Sequence, residues 1–332
     1  MTPQLKWPHL WGTAMLLVVY LASGAAQTGG QKFSKEKIAG RIDISKASNV
    51  LKDVLIPRTL EWNELVTRVV LSKKNPLLPA SFPKASYTTA EATRKMRYLY
   101  PEDDLRTDYN TCAVVGNAGM MLAVEYGRDI DAHDVVIRLN DGPTANWTQW
   151  VGSKTTIRIL NNYWTKRYKW TRPKGANEDN LMLFSFSTLG YLATIKRRFQ
   201  SASKAVLFMA PELAMNARRA YTKAYELLKA RNLIKVYGRN TAPTGIEGVY
   251  MALMMCKHTN IYGFDVNHMD GFPYHYFDAF KGTGSAHSFK FQSLFLKMLE
   301  RRNHLSLCVP GHESKWCSLA SCPTCMDEET QL

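Results

Sequence analysis

Acidic side chains are in short supply in this chain of 332 residues: 28 Asp and Glu stand against 43 Lys and Arg, leaving a net charge of +15. Such an excess favours an acidic partner, and it admits an anionic sugar nucleotide, an acidic polysaccharide, a membrane surface or a nucleic acid. Charge alone does not choose among them. Internal repeats and long low-complexity tracts are missing. Charged residues make up only 21% of the chain and hydrophobic ones 45%, which excludes disorder on a large scale and allows one large α/β core with a small extra segment. The Gly-x-Gly-x-x-Gly fingerprint of dinucleotide sites is also lacking. A dinucleotide-dependent oxidoreductase would therefore rest on a lone glycine loop, Gly116-Asn117-Ala118-Gly119.

Long apolar runs are scarce too, with one exception near the N-terminus. Residues 8–26 are uncharged and mostly apolar after Lys6, a length marginal for a bilayer core of about 30 Å. The small residues Ala22 to Ala26 resemble a processing site, so a cleaved signal peptide competes with a signal anchor. Lys32, Lys35 and Lys37 outnumber Lys6, and charge bias does not decide between them. Either way the chain enters the secretory pathway. The division expected is a tail at 1–7, the apolar segment at 8–26, a polar, lysine-bearing stem at 27–55 and a catalytic domain at 56–332, with the proline cluster Pro76, Pro79 and Pro83 near its start.

Two stretches carry the chemistry. Cys112-Ala-Val-Val-Gly116-Asn117-Ala118-Gly119 through Arg138-Leu-Asn140 reads as strand, glycine loop, helix over Ala118 to Tyr126, and strand over Val135 to Leu139. Glycine permits close approach of backbone N–H groups to a phosphate, and a helix N-terminus favours an anion. Asn117 and Asn140 fall at or just past the carboxyl ends of strands, where parallel sheets gather ligands, and an amide both donates and accepts. The second stretch runs from Ala242-Pro243-Thr244-Gly245 through Cys256 to Tyr262-Gly263-Phe264-Asp265. Short apolar runs at Leu181 to Phe186, Ala205 to Met209 and Asn260 to Gly263 alternate with helix-like segments such as Pro211 to Arg231. That alternation predicts a mostly parallel sheet with helices on both faces.

At these residues the chain resembles the eukaryotic sialyltransferases, glycosyltransferase family 29, over about residues 105 to 305. The family's large motif is matched by Cys112, Gly116 to Gly119, Asp134 to Asn140 and Val151-Gly152-Ser153-Lys154-Thr155-Thr156. Its small motif is matched by Pro243-Thr244-Gly245, Cys256 and Tyr262-Gly263-Phe264, its third by His275-Tyr276-Phe277-Asp278, and its very small motif by His287 to Gln292. Ala118 stands where the family commonly has serine, and Gln292 where it usually carries glutamate. Such divergence resembles the plant-type sialyltransferase-like proteins, whose donor is implied to be a different acidic sugar.

The resemblance implies a single Rossmann-like α/β domain, a variant of the GT-A fold. It also implies a type II Golgi membrane protein, anchored once, with its catalytic part in the lumen. Sialic acid, or a related acidic sugar such as Kdo, would pass from its CMP donor to a glycan hydroxyl with inversion and without a metal or other cofactor. Asn117, Asn140, Thr244, Gly245 and Gly263 would hold the CMP-sugar. His275 would meet the donor phosphate and aid its departure; its aromatic run, Tyr274 to Phe277, otherwise reads as ordinary packing. His287 would be the general base, and Ser288 is a candidate N-cap of a helix over Phe289 to Arg301 whose positive end favours the neutral imidazole. A relative that binds a glycan or nucleotide without turning it over is the alternative, motivated by Gln292.

Six cysteines agree with an oxidising lumen. The resemblance implies a Cys112–Cys256 disulfide. Cys308, Cys317, Cys322 and Cys325 admit three pairings, two structural disulfides being preferred to zinc. Asn146-Trp147-Thr148 is an N-glycosylation sequon that fits this compartment, and Asn146 is the expected glycosylation site unless its place inside the large motif encloses it. Asp129-Ile-Asp131 has the spacing of a metal-binding pair in other glycosyltransferases but reads here as a solvated turn. Tyr163 to Trp170 mixes aromatic and basic residues; a loop there suits acidic sugars or nucleic-acid bases, or is a plain surface loop. Secretory targeting weighs against nucleic acid, which leaves an acidic-glycan contact as the functional expectation.

Overall fold

The computed structural model describes residues 42–76, 94–171, 178–199, 205–234, 241–264, 271–280, 287–313 and 317. The apolar segment at 8–26, Asp265, Cys322 and Cys325 lie outside them. One sheet runs in the order β5–β4–β3–β2–β1–β6–β7–β8. Its strands are β1 Tyr109–Val115, β2 Val135–Leu139, β3 Ile157–Leu160, β4 Asn180–Leu183, β5 Ala205–Phe208, β6 Cys256–Tyr262, β7 Ser306–Val309 and β8 His312–Glu313. The first seven are parallel, and β8 folds back antiparallel on β7. The expected Rossmann-like architecture is thus present, with every central strand buried over most of its length, as a sheet covered on both faces requires.

Nine described helices flank the sheet: α1 Ile44–Ser48, α2 Leu60–Leu65, α3 Gly127–Asp131, α4 Thr148–Val151, α5 Asn162–Tyr168, α6 Leu192–Phe199, α7 Pro211–Ala230, α8 Thr244–Met255 and α9 Phe289–Arg301. Alternation along the strands sorts the core. Cys112, Val114, Ile137 and Ile159 face the side covered by α7, α8 and α9, whereas Ala113, Val115 and Val136 join Met121, Ile130 and Val151 on the opposite face. A third cluster lies where α5 and α6 cover Leu160, Leu181, Leu183 and Phe208. Helix α8 is buried nearly all round, which is why Gly245, Gly248 and Ala252 are tolerated among its apolar residues.

One expectation about local structure changes. The segment from Ala118 to Tyr126 is not one helix: Gly119–Ala123 forms a 3-10 turn, and α3 begins only at Gly127. Gly119 N–H donates to Pro273 O at 3.2 Å instead of entering a helical ladder, and Ala118 supplies no capping side chain. Residues 42–55, which the sequence assigns to a stem, pack within the same compact unit as the sheet. Asp43 caps α1 by accepting from Ser45 and Lys46 N–H, Ala47 and Val50 are fully buried, and Arg302 donates to Ser48 O and Asn49 Oδ1. Lys46 and Lys52 lend this stretch a polar composition while Ile44, Ala47, Val50 and Leu51 supply an inward face.

Cys112 and Cys256 form a disulfide, their Cα atoms 5.7 Å apart on neighbouring strands and 144 residues apart in sequence. The second disulfide joins Cys308 to Cys317, and Tyr262 Oη donates to Cys317 O at 3.0 Å.

Candidate functional site

Strand order reverses between β1 and β6. From β1 the chain winds outward through β2, β3, β4 and β5, then returns through α7 and α8 to place β6 on the other side of β1. A crevice opens at the carboxyl ends of two such strands because their connections leave in opposite directions. Gly116 and Gly263 meet there. Gly116 N–H donates to Tyr262 O at 2.8 Å and Ala118 N–H to Gly263 O at 3.1 Å. Gly263 has a φ of +66°, and a Cβ on Gly116 would collide with the Gly263 carbonyl. Only glycine suits either position.

The two asparagines stand at this end of the sheet. Asn117 Nδ2 donates to Leu139 O at 3.3 Å, binding the β1 loop to the end of β2, and Asn117 O accepts from Tyr276 N–H at 3.1 Å. Asn140 adopts a left-handed φ of +54°, a conformation asparagine tolerates better than most residues. Its N–H donates to Ile159 O at 2.8 Å and its Oδ1 accepts from Asn161 N–H at 3.1 Å. Beneath that turn Arg158, 1% exposed, donates to Asn140 O and Gly142 O at 2.9 Å each and pairs with the buried Glu178 at 3.1 Å. Asp141 lies in the same turn; burial raises its carboxyl to about 6, against the opposing pull of His275 and Arg158. Sequence reading passed over Asp141 and Arg158. Arg158 was detectable only as a cation inside an apolar strand, and the burial of Asp141 depends on the third motif folding over it.

Helix α8 brings the small motif to the crevice. Pro243 precedes its first turn without a side-chain cap, so Thr244 and Gly245 sit at the positive end of a 12-residue helix. Gly245 is buried against Phe264 and Leu139, where a Cβ would strike the Phe264 ring. Glu247 in the same turn is buried; desolvation raises its carboxyl, countered by Arg218 at 2.6 Å.

Both candidate histidines are tied to this framework. An antiparallel bridge pairs His275 with Ala118, and Tyr276 Oη donates to Pro143 O at 2.6 Å. The third motif is thereby clasped over both asparagine turns. His275 Nδ1 stands 3.0 Å from both Asp278 carboxylate oxygens, and its ring stacks on Phe277 with centroids 4.9 Å apart. His287 Nδ1 donates to Thr241 O at 2.9 Å, three residues before α8. A carbonyl can only accept, so a neutral His287 carries its lone pair on Nε2. Ser288 caps α9, accepting from Phe291 N–H at 3.3 Å, and the helix spans Phe289–Arg301 as expected. Gln292 lies in its first turns, 7% exposed.

Other motif residues have structural partners. Asp131 is a helix residue rather than a solvated turn; its carboxylate accepts from Ser153 N–H, Lys154 N–H and Ser153 Oγ–H at 2.8 to 2.9 Å. Arg138, fully buried, donates to Val151 O, Lys154 O and Thr155 Oγ1, and desolvation pulls it down to about 10. The Val151-to-Thr156 part of the large motif is therefore held in place by backing side chains. Asn146 is exposed with a φ of +69°, not enclosed as its position in the motif suggested. No group of three or more potential metal ligands occurs among the described residues. A cleft of about 750 Å³ follows α7, lined by Phe184, Ser185, Arg218 and Lys223 and by none of the candidate asparagines, glycines or histidines.

Residues 63–304 match the model of glycosyltransferase family 29 (sialyltransferase). The beta-galactoside alpha-2,6-sialyltransferase 2 of Danio rerio is 23% identical over 231 residues, 64% of this chain and 45% of that protein. The CMP-N-acetylneuraminate-beta-galactosamide-alpha-2,3-sialyltransferase 1 of Gallus gallus is 30% identical over 183 residues, 52% of this chain and 51% of that one. The chain thus spans about half the length of the relatives it matches. A crystal structure of a mammalian sialyltransferase in complex with Gal-beta-1-3GalNAc-ortho-nitrophenol shares the fold, with a TM-score of 0.55 at 20% identity over 82% of this chain and 98% of that chain. The chain belongs to glycosyltransferase family 29, the sialyltransferases.

Proposed function

We propose that the protein transfers sialic acid, or a related acidic sugar such as Kdo, from its CMP donor to a glycan hydroxyl with inversion. The observation that carries this reading is the tether from His287 to Thr241, which couples the base to the helix whose first turn holds Thr244 and Gly245. With Nδ1–H donated to a carbonyl, Nε2 is the atom that takes the acceptor proton as the acceptor oxygen attacks the anomeric carbon. Asn117, Asn140 and Gly263 line the nucleotide end at the switch point. The α8 N-terminus, which no side chain caps, would meet the negative phosphate. His275, oriented by Asp278, would act as the imidazolium: with Nδ1–H donated to the carboxylate, it donates Nε2–H to the phosphate oxygen that accumulates charge as CMP departs. Leaving-group charge is met by these groups, so the account calls for no metal.

The membrane and compartment readings rest on sequence. No helix of the described residues is long and apolar enough to cross a bilayer, and the segment at 8–26 lies outside them. Two disulfides suit a secretory lumen, and the exposed Asn146 sequon is open to the glycosylation machinery. A type II Golgi protein anchored by residues 8–26 follows from the family reading. The competing non-catalytic reading is favoured by the buried amide of Gln292 in place of the usual carboxylate. Offering CMP-sialic acid and CMP-Kdo with a mixed glycan acceptor separates the two: CMP release that disappears in His287→Gln supports transfer. CMP binding without release from either donor favours the alternative.

A further inference from the structure

The aromatic and basic stretch after β3 is a helix, not a loop. Asn161 caps α5 by accepting from Trp164 N–H at 2.9 Å, and Thr165 and Tyr168 turn into the core with no exposed surface. Tyr163, Lys166, Arg167 and Trp170 are therefore left on the outer side at spacings of three and four. Tyr163 and Trp170 are 57% and 68% exposed. Cations cover aromatic rings along this strip: Arg167 lies 5.9 Å from the Tyr163 ring centre and 5.3 Å from that of Trp164, and Lys169 lies 4.7 Å from that of Trp170. Arg198, at the end of α6, joins them by donating to Lys169 O at 3.4 Å.

Among the described residues no carboxylate pairs with Lys166, Arg167, Lys169 or Arg198. The sequence has no Asp or Glu between Asp141 and Glu178, nor between Asp179 and Glu212. A folded protein usually intersperses both signs, so a one-signed strip carrying exposed rings is poised for an anionic, ring-bearing ligand. Position says which. The N–H of Asn161, the α5 cap residue, donates to Asn140 Oδ1, so the strip begins beside the turn that the proposed function assigns to the donor. From Tyr163 to Trp170 it extends for about 10 Å.

We propose that the outer face of α5 docks an anionic glycan, a polysaccharide bearing carboxylates or sulfates, as the body of the acceptor. Tyr163 and Trp170 meet the apolar faces of sugar rings, while Lys166, Arg167 and Lys169 pair with their acid groups. This deepens the transferase reading by naming its acceptor class, and rests on that reading only for the word acceptor.

The test measures binding of the full chain to alginate oligosaccharides, neutral amylose oligosaccharides, duplex DNA and phosphatidylserine vesicles at low salt. The proposal predicts alginate binding well above amylose binding. Lys166→Gln combined with Arg167→Gln should weaken alginate about tenfold and lower the salt slope by about two. Trp170→Ser should weaken it several-fold more at an unchanged melting temperature and unchanged CMP affinity. Alginate affinity unaltered in these variants overturns the proposal, as does a loss confined to DNA or to vesicles, which would assign the strip to that partner. CMP release is read separately in the same variants. Absent turnover with alginate binding that depends on Arg167 would defeat the transferase reading and leave the docking surface standing.

Discussion

His287 and His275 differ in what holds Nδ1, a backbone carbonyl for the first and a carboxylate for the second. On the proposed reading the carbonyl leaves His287 Nε2 to take a proton, and the carboxylate supports a doubly protonated His275 facing the phosphate. The motifs single out both residues and their order, because the resemblance covers them residue by residue. The holding partners were not legible, since Thr241 lies 46 residues away in sequence. His287→Gln is expected to cut turnover by about 10²- to 10⁴-fold with little change in CMP affinity, read by kcat and by nucleotide titration. Asn140→Ala removes an acceptor for Asn161 N–H and puts alanine at a left-handed φ, so it should cost about 1–2 kcal/mol by chemical denaturation. A buried histidine outside the site supplies a pH test. Desolvation lowers His133 to about 4, and its Nδ1 donates to Asp129 O at 2.8 Å. Because the folded value lies below the unfolded one near 6.5, this stability is present above pH 6.5 and is lost as pH falls through about 4. The loss approaches about 3 kcal/mol. Asp141 acts with the opposite sign, its raised carboxyl favouring the folded state at low pH and losing that contribution as pH rises through about 6. Taking the pH from 7 to 4.5 should therefore cost His133→Phe less stability than it costs the native chain, read as the signed shift of the denaturation midpoint.

Among the elements, those with their own punctuation were readable. Ser288 ahead of an amphipathic run fixes where α9 starts, and Pro211 opens α7 at a position that lacks the need for an N–H donor. Elements whose form depends on distant partners were misread. The turn after Gly119 shortens because Pro273 takes its N–H, and α5 reads as a loop because its exposed side carries the aromatics. The joint between β3 and the Asn140 turn holds one side of the proposed nucleotide site. Arg158→Met would leave Glu178 buried without its cation and free two carbonyls, for an expected loss of about 3–5 kcal/mol. In the fraction that still folds, CMP affinity should fall more than that of a distant control such as Arg106→Met, whose partner Asp108 is exposed. Equal CMP affinity in the two variants would show that the clamp does not shape the site.

On the scale of the whole molecule, alternating apolar runs and helical segments were enough to read the parallel sheet, whereas the reversal between β1 and β6 was not readable from periodicity. That reversal needs the path of α7 and α8, and it is what gathers Gly116, Asn117, Asn140, Thr244, Gly245 and Gly263 at one end of the sheet. The Cys112–Cys256 disulfide fastens the same two strands, β1 and β6. Closing a loop of 144 residues contributes about 5 kcal/mol in the chain-entropy view. Replacing both cysteines with serine should accordingly lower stability by about 2–5 kcal/mol, and CMP affinity with it near the melting temperature. The central claim is transfer from a CMP donor at this reversal, with His287 as base. Its most direct test is CMP release by residues 42–332, offered CMP-sialic acid and CMP-Kdo with acceptor glycan, in native and His287→Gln forms. Release by the native protein from one donor, lost in the variant, is the predicted result. A folded protein that binds CMP yet releases none from either donor, or a variant as active as the native form, would contradict it.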